Sequence, residues 1–292
     1  MRPGHEEDYA ALRTLLGEEV LKGRRDCVPD DRWLLRQLGD FSWEARSRVV
    51  EDSRGVQGLV LVLDRTTPEG PVGRVESVAR NEALRPDLLR WGLQLCRAAG
   101  AAIAQVWWPQ GADAAVLAEL GLSAVRPFWR MDRSDLEDVP ELPLPTGYRL
   151  ADSVPPRAAA DTYNTSFAEH WRFSPLDPDQ VPVLEQPPDL SLLALGPDGR
   201  PAAVVWSSVE DHEPDMRPQP VGVVGVVGTL PQHRRRGLGS ALTAEALRRL
   251  DRHGASSASL YVDGRNPSRA YDLYRRLGFE VGFQYQVFET VW

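Results

Sequence analysis

The chain has 292 residues, twice the length of an ordinary domain of ~150 residues, so two domains or a duplicated unit are expected. Hydrophobic residues make up 42% and charged residues 26%, which are globular proportions and exclude wholesale disorder or a fibre. The 34 basic and 42 acidic residues give a formal charge of -8, which disfavours a nucleic-acid partner and favours cationic ligands such as amines.

The first half of the chain shows the hydrophobic patterns of an α/β unit. The predicted elements are strands over 59–63 and 72–78, a helix over 82–99, a strand over 101–107, a helix over 112–120 and a strand over 128–132. Several prolines and Gly147 follow among acidic residues, a composition that is typical of a linker. We therefore predict a first domain over 1–138, a linker over 139–147 and a second domain over 148–292.

The second half repeats this order of elements. The predicted elements are strands over 192–195, 202–209 and 221–229, a helix from 238 to near 253, a strand over 259–262, a helix over 268–277 and a strand over 282–291. Leu84 lies 154 residues before Leu238, and Gly121 lies 157 residues before Gly278. Such similar offsets predict one α/β unit that is present twice.

The turn between strand 221–229 and the next helix is rich in arginine and glycine, with the sequence QHRRRGLGS over 232–240. The first amides of a helix lack internal partners and lie at the positive end of its dipole, so they bind anions. Gly237 and Gly239 allow a diphosphate to approach the backbone closely. A solvated arginine run and a nucleic-acid patch or localisation signal are the alternatives. The equivalent turn of the first half, 79–84, has no glycine.

Two segments of the second half resemble the GNAT acyltransferase family. In 227–242, Arg234, Gly237 and Gly239 match the family's coenzyme A signature, which is Arg or Gln, two residues, Gly, one residue, then Gly or Ala. The segment NPSRAYDLYRRLGF over 266–279 is similar to the family's second block. The resemblance implies a tandem GNAT fold of class α/β, with two mixed β-sheets that are each flanked by helices. It further implies that the N-terminal copy is degenerate and has no coenzyme A turn.

The resemblance also implies acetyl-CoA, or another acyl-CoA, as co-substrate. The implied cofactor-binding residues are Val227, Gly228, Thr229, Arg234, Arg235, Arg236, Gly237, Leu238, Gly239, Ser240, Asn266 and Arg269. Among them, the backbone N–H of Val227 or its neighbour would polarise the thioester carbonyl, and the amides of 235–240 would hold the diphosphate.

The catalytic candidates come from the same resemblance. Tyr274 falls on the family's tyrosine position, where the phenol protonates the departing thiolate, and simple packing on its helix is the alternative. Many members carry a glutamate on the strand before the turn, whereas strand 221–229 has no titratable side chain. Glu169 and His170 are therefore the first candidates for the general base, ahead of the loop 210–213. Solvated surface roles for all of these residues, and water as the base, stay open.

Three further expectations concern the acceptor, the location and metals. The proline-rich segment 172–190 is predicted to form a lid or a binding loop. Trp171 and Phe173 at its start are candidates to line an acceptor pocket, with simple packing as the alternative. The acidic N-terminus and the absence of a long apolar stretch predict a cytoplasmic protein without a membrane segment. Cys27 and Cys96 match no zinc pattern, so no metal is expected.

The sequence thus predicts an N-acetyltransferase that transfers an acetyl group to the amine of a small molecule by direct attack within a ternary complex. A protein or peptide N-acetyltransferase and a non-catalytic acyl-CoA-binding or scaffold protein are the alternatives.

Overall fold

The computed structural model describes residues 1–29, 31, 34, 38, 41–181, 187–210 and 220–292. The chain divides into two compact units, of which unit 1 comprises Met1–Phe128 with Phe283–Trp292 and unit 2 comprises Trp129–Gly282. Residues 283–292, which belong to the last predicted strand of the second half, thus group with unit 1. The predicted functional division into a degenerate domain, a linker and a catalytic domain stays a prediction.

The regular elements of the described chain are twelve strands and seven α-helices, together with short 3-10 turns. The strands are β1 (Arg2–Pro3), β2 (Ser47–Asp52), β3 (Gly55–Thr67), β4 (Gly70–Ala79), β5 (Ile103–Pro109), β6 (Ser123–Arg133), β7 (Arg149–Leu150), β8 (Ser191–Leu195), β9 (Pro201–Glu210), β10 (Val221–Thr229), β11 (Ser257–Asp263) and β12 (Glu280–Val291). The helices are α1 (Tyr9–Leu21), α2 (Trp43–Arg46), α3 (Arg85–Ala98), α4 (Ala115–Glu119), α5 (Pro156–Phe167), α6 (Leu238–Arg252) and α7 (Ala270–Arg276). Every element predicted above is present, and none of the described helices is long and apolar enough to cross a bilayer.

In unit 1 the strands form a mixed sheet in the order β1-β2-β3-β4-β5-β12. Strands β4 and β5 pair in parallel, and their register covers Val72–Arg74 with Ile103–Gln105. The helices α1 and α3 both pack against this sheet, and α3 buries Leu88 and Leu89 completely. Burial of a leucine side chain contributes about 1.5–3 kcal/mol, so this apolar face of α3 anchors it to the sheet.

In unit 2 the strands follow the order β11-β10-β9-β8-β7, and β10 and β11 pair in parallel. Alternate strand residues pack on opposite faces, as the two-residue repeat of a strand requires. Leu192 joins the core beneath α6 and α7, whereas Leu193 joins the core beneath α5. Helix α6 follows the predicted spacing and buries Leu238, Leu242 and Leu247. Helices therefore cover both faces of this sheet.

Candidate functional site

The strands β10 and β11 part at the residues predicted to hold the cofactor. Their parallel register ends at Val223 paired with Ser259. On the other edge of β10, Val224 pairs with Ser207 and the next pair is Val226 with Trp206, so Gly225 is an additional residue opposite β9. Such a bulge leaves the additional residue out of the ladder, and Gly225 is exposed. The end of the parallel register leaves the backbone of β10 beyond Val223 outside the ladder with β11, and the bulge leaves Gly225 outside the ladder with β9.

The turn after β10 has a defined backbone conformation. Arg235 has φ +62° and Gly237 has φ +89°, so both residues adopt the left-handed region. A Cβ on Gly237 would meet no atom within 4 Å. This glycine is therefore required by its backbone angle rather than by crowding, since a residue with a side chain there costs about 1–3 kcal/mol.

The backbone amides of 235–240, which we call the open turn, point to no internal acceptor among the described residues. The last three of these residues begin α6, a helix of 15 residues whose dipole adds partial positive charge at this end. The side chains of Arg235 and Arg236 are exposed and add two full charges. The open turn can therefore bind an anion through its main chain.

Arg234 has a different environment from the two arginines that follow it. Its Nε donates to the carbonyl oxygen of Thr229 at 3.2 Å, and its Nη2 donates to the carbonyl oxygen of Ser166 at 3.0 Å. Its Nη1 lies 3.6 Å from Oε2 of Glu169. The guanidinium thus binds protein acceptors at the end of β10 and at the end of α5.

Gly239 also differs from the glycine that precedes it. A Cβ at this position would lie 3.1 Å from Cδ1 of Leu273, so the residue allows α6 and α7 to pack closely. The sequence predicted close ligand approach for both Gly237 and Gly239. The structure places one at an open turn and the other against a neighbouring helix.

Tyr274 is buried on α7, with 8% of its surface exposed. Its ring packs edge-on against Phe279 at a centroid distance of 6.1 Å. Among the described residues its phenol has no hydrogen-bond partner, and burial raises the pKa of the phenol well above its usual range. The phenol therefore keeps its proton at neutral pH, which a proton donor requires, and its role as general acid stays a prediction.

The predicted base candidates lie directly after α5. The side chain of Glu169 is 85% exposed, and its carboxylate contacts Arg234 as described above. His170 places its ring 5.6 Å from that of Phe167, and its Nδ1 lies 3.3 Å from the carbonyl oxygen of Trp171. The lower-ranked candidate Glu210 ends β9, whereas Asp211, His212 and Glu213 lie outside the described residues.

An aromatic cluster joins α5 to β9 and to the end of β10. The ring of Tyr163 lies 5.0 Å from that of Trp206, 5.0 Å from Phe167 and 5.7 Å from Phe173. A Cβ on Gly228 would lie 3.1 Å from a ring carbon of Phe167. Sequence reasoning proposed Phe173 for an acceptor pocket but missed the other three aromatic residues. The four-residue spacing of the two α5 rings was the available signal.

The second predicted block shapes the turn before α7. The side-chain oxygen of Asn266 accepts a hydrogen bond from the backbone N–H of Ser268 at 2.9 Å. Arg269 has φ +53° and an exposed side chain, whose Nε lies 2.9 Å from Oδ2 of Asp272. Asn266 therefore holds the backbone, and Arg269 presents a charge at the start of a helix.

Metal-binding side chains do not cluster in the part of the chain that the structure describes, where no group of three or more is found. The open turn, with main-chain donors and exposed arginines, fits a diphosphate rather than a metal ion.

Comparison with known proteins identifies the family. The model of the acetyltransferase (GNAT) family matches residues 157–279. The chain is 32% identical over 267 residues to a mycothiol acetyltransferase from Salinispora arenicola, a match that covers 86% of this chain and 83% of the relative. It is 34% identical over 183 residues to a mycothiol acetyltransferase from Pseudarthrobacter chlorophenolicus, which covers 59% and 56% of the two chains.

Solved structures agree with this assignment at the level of fold. A GCN5-related N-acetyltransferase from Sphaerobacter thermophilus superposes with a TM-score of 0.79 at 21% identity, covering 99% of this chain and 94% of that one. A tandem GNAT protein from the clavulanic acid biosynthesis pathway superposes with a TM-score of 0.70 at 17% identity, covering 100% and 97%. The predicted α/β class and tandem GNAT fold are thereby confirmed, and the chain belongs to the GNAT family of acetyltransferases.

Proposed function

We propose that this protein transfers an acetyl group from acetyl-CoA to the amine of a small molecule. One observation carries the proposal: the backbone N–H groups of the open turn, 235–240, have no internal acceptor among the described residues. The last three residues of the open turn begin a helix of 15 residues. The turn follows β10, whose pairing with β11 ends at Val223. The mycothiol acetyltransferases found among the relatives support a small-molecule acceptor.

The open turn holds the diphosphate of the co-substrate through its backbone, and Arg235 and Arg236 add charge. The rest of the co-substrate follows Val227–Thr229 into the opening between β10 and β11. A backbone N–H that the bulge at Gly225 frees, or that of Val227, stabilises the negative charge on the thioester oxygen as the amine attacks. Asn266 and Arg269 border the same opening from the start of α7.

In the reaction, the amine nitrogen forms a bond to the carbonyl carbon of the thioester while the carbon–sulfur bond breaks. The departing thiolate takes the proton of the Tyr274 phenol, and the nitrogen loses its proton to a base or to water. Holding both reactants in line contributes about 7–11 kcal/mol of the lowered barrier. Because β10 has no titratable side chain, the base comes from another element or from solvent.

The acceptor lies on the side of the sheet that α5 covers, next to the aromatic cluster. The formal charge of -8 favours a cationic acceptor such as an amino sugar, an aminocyclitol or an aminoglycoside. The chain has only two cysteines, Cys27 and Cys96, a number that accords with a cytoplasmic location.

The experiment that tests the proposal measures acetyl-CoA binding by calorimetry and thiol release in the presence of an amine panel. Thiol release that depends on a small amine supports the proposal, and release that depends on peptide N-termini alone supports the protein-directed alternative. Binding of acetyl-CoA without thiol release for every amine supports a non-catalytic acyl-CoA-binding protein. This alternative is considered because β10 has no titratable side chain. Absence of binding contradicts all three.

A further inference from the structure

The side chain of Arg234 stands apart from the rest of the predicted cofactor site. Its neighbours Arg235 and Arg236 are exposed, whereas its own guanidinium contacts three protein acceptors at 3.0, 3.2 and 3.6 Å. Two of its five N–H donors, on Nε and Nη2, are engaged by backbone carbonyl oxygens, and Nη1 faces the carboxylate of Glu169.

The acceptors belong to two different elements. The carbonyl oxygen of Ser166 is one of the last four of α5, which have no partner within the helix, and a cation there also interacts favourably with the helix dipole. The carbonyl oxygen of Thr229 is the last of β10. The two elements also touch beside this contact, where a Cβ on Gly228 would lie 3.1 Å from Cβ of Ser166. Arg234 therefore spans the junction between α5 and β10, one residue before the open turn.

We propose that Arg234 is a positioning residue that connects α5, on the acceptor side of the site, to β10, on the cofactor side. It holds the end of α5, and with it the aromatic cluster and the segment after α5, against the end of β10. Glu169 adds only the outermost contact to this arrangement, and we assign it that contact rather than the role of general base. This inference rests on the proposed function for its kinetic consequences, whereas its structural part stands on the contacts alone.

The contacts predict a graded series of variants. Arg234→Ala removes all three contacts, and Arg234→Lys keeps the charge but cannot reach three acceptors with one ammonium. Glu169→Gln weakens only the contact between Nη1 of Arg234 and the carboxylate of Glu169. Because the Glu169 side chain is 85% exposed, we expect this variant to change the kinetics little. Arg236→Ala is the matched control, because it removes an exposed arginine of the open turn that has no ion pair among the described residues.

The kinetic test measures the acetyl-CoA Kd, the KM of the amine and kcat for each variant. We expect Arg234→Ala to raise the KM of the amine ~10-fold or more while the acetyl-CoA Kd changes less than about twofold. Arg236→Ala should show the opposite split. A rise in acetyl-CoA Kd for Arg234→Ala as large as that of Arg236→Ala, an unchanged KM of the amine, or full rescue by Arg234→Lys would overturn the inference.

A second measurement is independent of the reaction. Hydrogen exchange of the ligand-free protein should show faster exchange in the last turn of α5 for Arg234→Ala, and unchanged exchange in α3 as the internal control. Equal exchange in α5 overturns the inference even if acetyl-CoA binds, and faster exchange supports it even if acetyl-CoA fails to bind and the proposed function falls. If Arg234→Ala does not fold, Arg234→Lys takes its place. A loss of turnover above ~100-fold in Glu169→Gln would restore Glu169 as the base.

Discussion

Two equivalent strand-to-helix turns, 79–85 in unit 1 and the open turn in unit 2, follow similarly paired strands but differ in whether their backbone donors have internal acceptors. Each turn follows a strand that pairs in parallel over three residues with the next strand, and each leads into a helix of 14 or 15 residues. In unit 2 the open turn leaves its amides without internal acceptors among the described residues. In unit 1 the equivalent turn, 79–85, is occupied by side chains of the protein itself.

The turn of unit 1 is closed by carboxylate and amide oxygens. The side-chain oxygen of Asn81 accepts from the N–H of Ala83 at 3.0 Å, and Oε1 of Glu19 accepts from the N–H of Ala79 at 3.4 Å. Arg85, at the first position of α3, is only 4% exposed, and its Nη2 lies 2.8 and 2.9 Å from the two oxygens of Glu19. In unit 1 the carboxylate of Glu19 therefore lies at the start of α3. In unit 2 the amides at the start of α6 are available to an anion from outside the protein.

The comparison indicates that two diverging parallel strands form a cofactor site where the backbone amides of the following turn have no internal acceptor. The glycines and the left-handed residues of the turn in unit 2 keep its donors accessible. The buried pair of Glu19 and Arg85 in unit 1 converts the same position into a structural contact.

The stoichiometry of acetyl-CoA binding tests the comparison most directly. We expect one acetyl-CoA per chain, because the open turn of unit 2 has accessible amides, whereas the equivalent turn of unit 1 is closed by its own side chains. Calorimetric titration of the intact protein gives the number of sites. Two equivalent sites would contradict the closed state of the turn in unit 1.

The substitution Glu19→Gln removes the buried one of two carboxylates that pair with Arg85. We expect the free energy of unfolding to fall by about 1–3 kcal/mol, because Arg85 then keeps Glu82, whose side chain is 46% exposed, as its charged partner among the described residues. Denaturant titration measures the loss, and acetyl-CoA affinity serves as the control. The affinity should be unchanged, so a weakened cofactor complex would show that unit 1 takes part in binding.

The substitution Gly237→Val addresses the open turn. We expect the acetyl-CoA affinity to fall ~100-fold, since φ +89° is strained for a β-branched residue and the amides would move from their positions. Gly111→Val is the matched control, because Gly111 in unit 1 has φ +87° and equally open surroundings. Both variants should lose stability, and only the first should lose affinity. Equal affinities would remove the turn from the binding site.

The substitution Tyr274→Phe has the smallest expected effect and bears on chemistry rather than on binding. We expect turnover to fall ~10-fold or more while acetyl-CoA affinity changes little, because the ring keeps its packing and only the proton donor is lost. Since burial raises the pKa of this phenol, the wild-type enzyme should show no alkaline loss of kcat from its ionisation below its ordinary value of about 10. Unchanged turnover in the variant would leave Tyr274 as a packing residue.

Hydrophobic periodicity was sufficient to predict the elements around α6, because its inward face carries leucines at helical spacing. The same approach missed α1 and α5. In α1 the inward position of Glu19 interrupts the apolar pattern, and in α5 the buried residues are Ala159, Ala160 and Thr162, which give little apolar signal. Helix α1 is stabilised by the contact of Glu19 with the distant Arg85. Helix α5 is stabilised by contacts with aromatic residues of other elements.

The sequence was sufficient to predict a strand without titratable side chains, a glycine–arginine turn and the helices that flank them. These features could be predicted because they depend on residues that are neighbours in the chain. Only the tertiary structure decided which donors remain available to a ligand. Arg234 reaches Ser166 across 68 residues, and Arg85 reaches Glu19 across 66. Both arginines lie next to a turn, and no local pattern distinguishes them from arginines that bind a phosphate. Their roles depend on acceptors that folding brings from a distant helix, because a charged donor binds the oxygens that surround it in space.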